Sequence, residues 1–536
     1  MTIASAKTKL AGPVSARKLV LSLFAVVLFW AFVRWLFFEG FWDGDDFAYI
    51  RYATAWNHPA GDHMEARLLF NGLLHLSIRV FGSSPFAWAL PALLGSLLIL
   101  SATAAFAYRE FGYGAMLASA FIVASIPGDV IGSTGANPNV LSAGFAAWAT
   151  YLMLARDQRS AFAIGTVLAG ISVLVHPVAA FYVIALAIGI AYLAGWRRAS
   201  IFVIAALGIY FVMELGLSRL INGDAMHDFR ILQNWHDPDA TVRLYSPAWF
   251  LQPVQTFVFC KEWGVLALLA GVIGFTSRGS KLMRCLAIVL VCHWVWIGYG
   301  TSKPTTYEPF WRLPRLQYSV ILPIALLCGA GMIARHWRAG IVILAGLNIG
   351  LVAASGSYGQ ADDISREFLT YARAHATDTF ITDAYSLREI ATYNGGDPPS
   401  NVISWDDLTF ERRSGQIFMF FNPLNNAWKP LPNRPSYQAP SGLPSLCYGA
   451  PVWRTQVRYR DIALLLPSAI RQRSTAFIRR PSGYVAHVDG PVPCQARSLI
   501  DSGSPAVQSA SSSAKMIANR MDRRVIHQTI DVGFAR

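Results

Sequence analysis

The sequence predicts a polytopic α-helical membrane protein followed by a small α/β domain, and three observations carry that prediction. Of 536 residues, 54% are hydrophobic and 14% are charged, against about 25% charged in soluble chains. Apolar stretches near the ~20 residues that a spanning helix needs recur from Leu19 to Ser357. After residue 357 Asp, Arg, Pro and Asn become common, and no apolar run is long enough to span. This composition excludes an ordinary soluble enzyme. The net charge of +14 reads as basic residues beside a membrane rather than as a nucleic-acid surface. Six cysteines in so long a chain do not make a disulfide framework, and no CxxC motif suggests structural zinc.

Eleven stretches fit spanning helices, at about 19 to 38, 86 to 108, 114 to 130, 139 to 155, 160 to 176, 178 to 195, 199 to 218, 262 to 276, 284 to 300, 316 to 334 and 339 to 357. Residues 1–18 hold Lys7, Lys9, Arg17 and Lys18 ahead of the first run. That run is too long for a secretory signal and no small-residue cleavage site follows it, so it reads as a span with a cytoplasmic N-terminus. On alternate sides of the plan, one side gathers these four with Arg109, Arg156, Arg159, Arg197, Arg198, Arg278, Lys281, Arg284, Arg335 and Arg338 in short loops. Short cytoplasmic loops retain positive charge, so this side is cytoplasmic. The loops 39 to 85, 219 to 261 and 301 to 315 then lie outside, with everything after 357.

The membrane domain is therefore 19–357 and the outer domain 358–500. In the latter, Ser365 to His375 patterns as an amphipathic helix, Thr379 to Asp383 as a strand, Leu387 to Tyr393 as a helix stopped by Gly395 and Gly396, and Asn401 to Trp405 as a second strand. Alternation of this kind argues for an α/β domain. Cys447 and Cys494 lie there, where an oxidising compartment permits a disulfide. Residues 501–536 are Ser-rich, lack a core pattern and are expected to be disordered.

The first outer loop opens Trp42-Asp43-Gly44-Asp45-Asp46-Phe47, three carboxylates within four positions directly after a span. Asp at such a place also caps a helix, but crowding like charges at a membrane surface calls for a cation nearby. Farther along, Arg67, Asn71, His75 and Arg79 recur every four residues among Leu69, Phe70, Leu73, Leu74, Leu76 and Val80. The polar set forms one helical stripe, and the pattern predicts an interfacial helix with its apolar face in lipid. Arg67, preceded by His63 and Glu65, is the member best placed to meet an anionic lipid head.

An acidic pair after the first span, an interfacial helix ending Phe81-Gly82-Ser83-Ser84, the entry Leu90-Pro91-Ala92-Leu93-Leu94-Gly95 and the late segment Pro314-Arg315-Leu316-Gln317-Tyr318 together resemble the GT-C glycosyltransferases. Protein O-mannosyltransferases and the bacterial transferases that add aminoarabinose to lipid A look nearest. The resemblance implies transfer of a sugar from a polyprenyl-phosphate donor to a lipid, polysaccharide or protein acceptor, with inversion, outside the cytoplasm of a bacterial inner membrane. It implies Asp45 as the base that deprotonates the acceptor, with Asp46 steadying Asp45, the acceptor or a metal. The departing phosphate needs cations; Arg67 and Arg315 are the main candidates, with Lys303, Arg312 and His176 behind them.

One stretch departs from the family pattern: where relatives often carry an acidic residue in the second outer loop, this chain reads Gly135-Ala136-Asn137-Pro138-Asn139. Asn137, Asn139 and Glu65 are candidates for the acceptor side of the cavity. A carboxamide lacks the negative charge that a divalent ion prefers, so a divalent metal is disfavoured though still open and no other cofactor is indicated, His63, Glu65 and His236 having no tight ligand spacing. His293 within a span reads as a packed neutral histidine, and Glu214 as a helix-end carboxylate or a cavity wall. The rival reading is a flippase for lipid-linked saccharides, which would perform no chemistry. Transporters tend to show repeated halves and charges at mid-membrane, whereas the charges here cluster in outer loops.

Overall fold

The computed structural model describes residues 15–38, 40, 45–56, 64–156, 158–234, 251–258, 263, 266–277, 280–301, 314–354, 360–404, 416–422, 448–456 and 482–488. His63, His236, Lys303, Arg312, Cys447, Cys494 and the tail lie outside the described residues. The membrane part contains α1 (Ala16–Leu36), α2 (Asp45–Thr54), α3 (Leu68–Phe81), α4 (Pro85–Phe111), α5 (Tyr113–Ser125), α6 (Pro127–Gly132), α7 (Pro138–Ala155), α8 (Arg159–Val175), α9 (Ala179–Ala194), α10 (Trp196–Asn222) and α11 (His227–Asn234). It continues through α12 (Gln252–Val258), α13 (Leu266–Thr276), α14 (Lys281–Tyr299), a 3₁₀ segment (Pro314–Val320), α15 (Ile321–Ala334) and α16 (Arg338–Ala354).

Each of the eleven expected stretches contains helix among its described residues, but eleven spans are not confirmed. Among the described residues five helical stretches are long and apolar enough to cross a membrane: α1, α4, α10, α14 and Arg315–Ala334. The others are shorter or less uniformly apolar. Proline explains one difference. The expected span 114 to 130 breaks into α5 and α6 because Pro127 has no N–H to continue the ladder. Pro323, by contrast, falls in the first turn of α15, where no N–H is needed.

Large apolar side chains stay exposed along α1 (Phe24, Leu28, Trp35) and α10 (Ile204, Val212, Leu220). Contiguous apolar surface of this kind suits lipid as solvent. Inside, helices meet where glycine allows it. A Cβ on Gly144 would sit 2.6 Å from the Gly95 carbonyl oxygen, and one on Gly95 would run into the Leu141 backbone. The α4–α7 contact is thus backbone against backbone, the small-residue packing that replaces hydrophobic driving force between membrane helices.

The amphipathic helix α3 differs from its expected setting. The middle of its polar stripe faces protein while Arg79 is exposed: Asn71 is buried and donates to the carbonyls of Met64 at 3.1 Å and Glu65 at 3.3 Å, and His75 Nδ1 lies 2.6 Å from the Ala53 carbonyl oxygen. Phe70 and Leu74 are buried with Tyr49 and Ile50 of α2 and Trp88 of α4, leaving Leu76, Val80 and Phe81 exposed. Backbone carbonyls of α2 and of the segment before α3 thus receive these two side chains.

After α16 come α17 (Gln360–Ala374), β1 (Thr379–Thr382), α18 (Ala384–Tyr393), β2 (Val402–Ser404), β3 (Ile417–Phe421), β4 (Tyr448–Gln456) and β5 (Ser482–Val488). The sheet order is β2-β1-β3-β5-β4, parallel from β2 to β3 and antiparallel beyond. Phe380 pairs with Val402 and Phe418, and Phe368 of α17 stacks on Phe420 at 3.8 Å. Helix α18 also touches the membrane part: Tyr393 lies 5.4 Å from the Trp88 ring, and Arg388 lies over Phe47 of α2. The sheet unit therefore rests on the loop that carries the acidic pair.

Gly95→Val should wedge α4 from α7 and cost about 1–3 kcal/mol or more, read as a lower thermal midpoint in detergent; an unchanged midpoint would contradict the close-packed contact.

Candidate functional site

The site begins where α2 does. Asp45 and Asp46 occupy its first turn, favoured there by the helix dipole, yet their side chains diverge. Asp46 is buried and its Oδ2 accepts the Ala136 N–H at 3.0 Å. Asp45 stays partly exposed, and its Oδ2 lies 2.5 Å from Arg315 Nη2. Arg315 stands in the 3₁₀ segment, whose next residue, Leu316, has its carbonyl oxygen 3.3 Å from His293 Nε2 of α14. His293 is buried, edge-on to Tyr182, and its contact with Leu316 braces the 3₁₀ segment.

Arg67 completes the group. It precedes α3 as its N-cap, its guanidinium lies 5.0 Å from the Tyr49 ring centre, and its Nη1 contacts Met64 Sδ at 2.9 Å. Burial lowers its pKa to about 10; the negative charge of Asp45 opposes the fall and Arg315 adds to it. Arg67 is still a cation at neutral pH, within electrostatic reach of both. Three candidates from distant stretches, Asp45, Arg67 and Arg315, thus come together.

The remaining described candidates are engaged elsewhere. Asn137 caps α7, its Oδ1 accepting the Asn139 N–H and side-chain N–H₂ at 3.0 Å each. His176 is buried at the end of α8, Nδ1 accepting the Val178 N–H at 3.3 Å. Glu65 is buried, 3.4 Å from His227 Nε2. Beside His227, Asp228 is buried and its Oδ1 accepts from Asn222 Nδ2 at 3.2 Å; burial raises the Asp228 pKa, with Glu214 of α10 and His227 opposing and Glu65 adding to the rise. His227 and Asp228 were not legible in sequence, since no local spacing links them to Glu65. Among the described residues no group of three or more His, Cys, Asp or Glu is arranged to hold a metal ion.

No protein-family model matches the chain, and no curated protein does. Solved structures do. The crystal structure of ArnT from Cupriavidus metallidurans in the apo state superposes with TM-score 0.53 at 12% identity, over 90% of this chain and 100% of that one. The same protein bound to undecaprenyl phosphate gives 0.54 at 13% identity, with the same coverage. The fold is the GT-C fold. An oligosaccharyltransferase from Archaeoglobus fulgidus, in complex with Zn and sulfate, covers 71% of this chain and 62% of its own at TM-score 0.44 and 13% identity, and nothing below rests on it. With its apolar helices and this fold, the chain is an integral membrane protein.

Asn71→Leu should remove the side-chain hydrogen bonds to the Met64 and Glu65 carbonyls and loosen the segment that carries Arg67, at a cost of about 1–3 kcal/mol. Faster amide exchange over residues 64–68 checks this, and unchanged exchange would contradict it.

Proposed function

We propose that the chain is an inverting glycosyltransferase that moves a sugar from a polyprenyl-phosphate donor to a hydroxyl acceptor on the extracytoplasmic side of the membrane. The observation that carries the reading is the meeting of Asp45 with Arg315 and Arg67. A carboxylate beside two guanidinium groups at the head of a membrane loop suits a reaction that takes up a proton and releases a phosphate. The fold shared with ArnT, solved bound to undecaprenyl phosphate, supports a polyprenyl phosphate as the lipid.

In this reading the Asp45–Arg315 pair is a resting arrangement. Donor phosphate oxygens, which match a guanidinium in a bidentate manner, draw Arg315 away and release the Asp45 carboxylate. Asp45 then takes the acceptor hydroxyl proton while that oxygen attacks the anomeric carbon. The bond from that carbon to the phosphate oxygen breaks on the opposite face, and the lipid phosphate departs with the electron pair, its charge held by Arg67 and Arg315. Asp46, fixed by the Ala136 amide, keeps the first turn of α2 still. Lys303 is a third phosphate candidate, and Glu65, Asn137 and Asn139 have less claim because each is already engaged. No metal is needed for these steps. The same reading assigns the chain to a bacterial inner membrane, with 19–357 as transferase domain and the sheet-bearing unit outside.

Asp45→Asn should abolish transfer from undecaprenyl-phosphate-linked sugars while undecaprenyl phosphate binds as well as before or more tightly, since Arg315 loses its competitor. Transfer at the wild-type rate would remove Asp45 as base. Arg67→Ala and Arg315→Ala should each raise the donor KM by about 10- to 100-fold, the worth of a charged hydrogen bond. Undecaprenyl phosphate affinity should also fall as pH rises through about 10, where Arg67 loses its proton; a flat profile to pH 11.5 would take Arg67 out of the phosphate site.

A further inference from the structure

We infer that α6 is the positioning element of the site and that a buried ion pair, Arg34–Asp129, holds it in place; this rests on the transfer reading above. Arg34, in the last turn of α1, and Asp129, in α6, are 2% and 0% exposed. Arg34 Nη2 donates to Asp129 Oδ2, which also accepts from Ser96 Oγ of α4 at 2.7 Å. Arg34 Nε donates to Ser96 Oγ at 3.1 Å, and Nη1 donates to the Ala124 carbonyl of α5 at 2.9 Å. The pair therefore locks α6 to α1, α4 and α5.

Stability alone does not account for it. Burying two charges costs solvation, and apolar side chains of similar volume often hold the same space as well or better. What the pair adds is a fixed place for a six-residue helix that is too short to hold itself. Two connections run from α6 to the site. Its C-terminal extension brings the Ala136 N–H to Asp46, the neighbour of Asp45, and the Thr134 carbonyl on the same stretch accepts the Gly40 N–H at 2.7 Å, tying down the chain between α1 and α2. On the other side, Gly132 packs directly on Tyr318 of the 3₁₀ segment: a Cβ there would lie 2.5 Å from Tyr318 Cε2. Tyr318 stands one short turn from Arg315. One short helix thus registers the carboxylate and the guanidinium against each other.

Arg34→Met/Asp129→Leu removes the charges as a pair and keeps the space filled, and Gly132→Ala disturbs the α6–Tyr318 contact with the ion pair intact. Both are read by thermal midpoint and by undecaprenyl phosphate affinity in nanodiscs, and then by kcat with undecaprenyl-phosphate-linked sugars. The double variant is expected to melt at or above the wild-type temperature, yet to bind undecaprenyl phosphate at least about tenfold more weakly and to lose kcat by at least a similar factor. Gly132→Ala is expected to weaken the same binding in folded protein. A folded double variant with wild-type affinity and kcat overturns the inference. If that variant does not fold, wild-type affinity in Gly132→Ala overturns it. Because the binding readout needs no turnover, a wild type that binds the lipid but transfers no sugar refutes the transfer reading separately, leaving the role of α6 to be judged on affinity.

Discussion

The site depends on like charges being held near each other. Arg67 and Arg315 repel, Asp45 is drawn to both, and burial makes the arrangement costly unless the backbone around it is fixed. The fixing is visible on every side. Asn71 ties down the loop before Arg67, His293 and Tyr318 brace the segment of Arg315, and the Ala136 amide holds Asp46 beside Asp45. An anion with several oxygens would relieve the repulsion between the guanidinium groups, and the lipid phosphate proposed above is such an anion.

The membrane scaffold supplies that rigidity through close contact rather than through apolar bulk. Gly95 and Gly144 let α4 and α7 touch along their backbones, and the Arg34–Asp129 pair joins four helices around one oxygen and one guanidinium. Lipid offers no hydrophobic gain to helix association, so shape and internal polar bonds must carry it. The sheet-bearing unit then rests on α4 through Tyr393 and on α2 through Arg388.

Much of this was legible in the chain. Each of the eleven apolar stretches contains helix, both expected strands of the sheet-bearing unit form and pair in parallel, and the helix between them stops at Gly395 and Gly396, whose φ values are +92° and +121°. Asp45 stood out because three carboxylates crowd together after a span, Arg67 because it opens a polar helical stripe, and Arg315 because its segment resembles one in the GT-C glycosyltransferases. What sequence could not supply were partners far along the chain. Nothing local joins Arg34 to Asp129 or Glu65 to His227, and the stripe of α3 could not say whether water or loop carbonyls would satisfy it. Hydropathy windows also passed over Pro127, where the missing N–H splits one expected span into α5 and α6.

The central claim is that one phosphate engages both guanidinium groups and frees the carboxylate. A cryo-EM structure of the chain in nanodiscs with undecaprenyl phosphate tests it most directly. The account predicts phosphate oxygens within hydrogen-bond distance of Arg67 and Arg315, with Asp45 released from Arg315 and facing the lipid head. Lipid phosphate bound elsewhere, with the Asp45–Arg315 pair still closed, would contradict it.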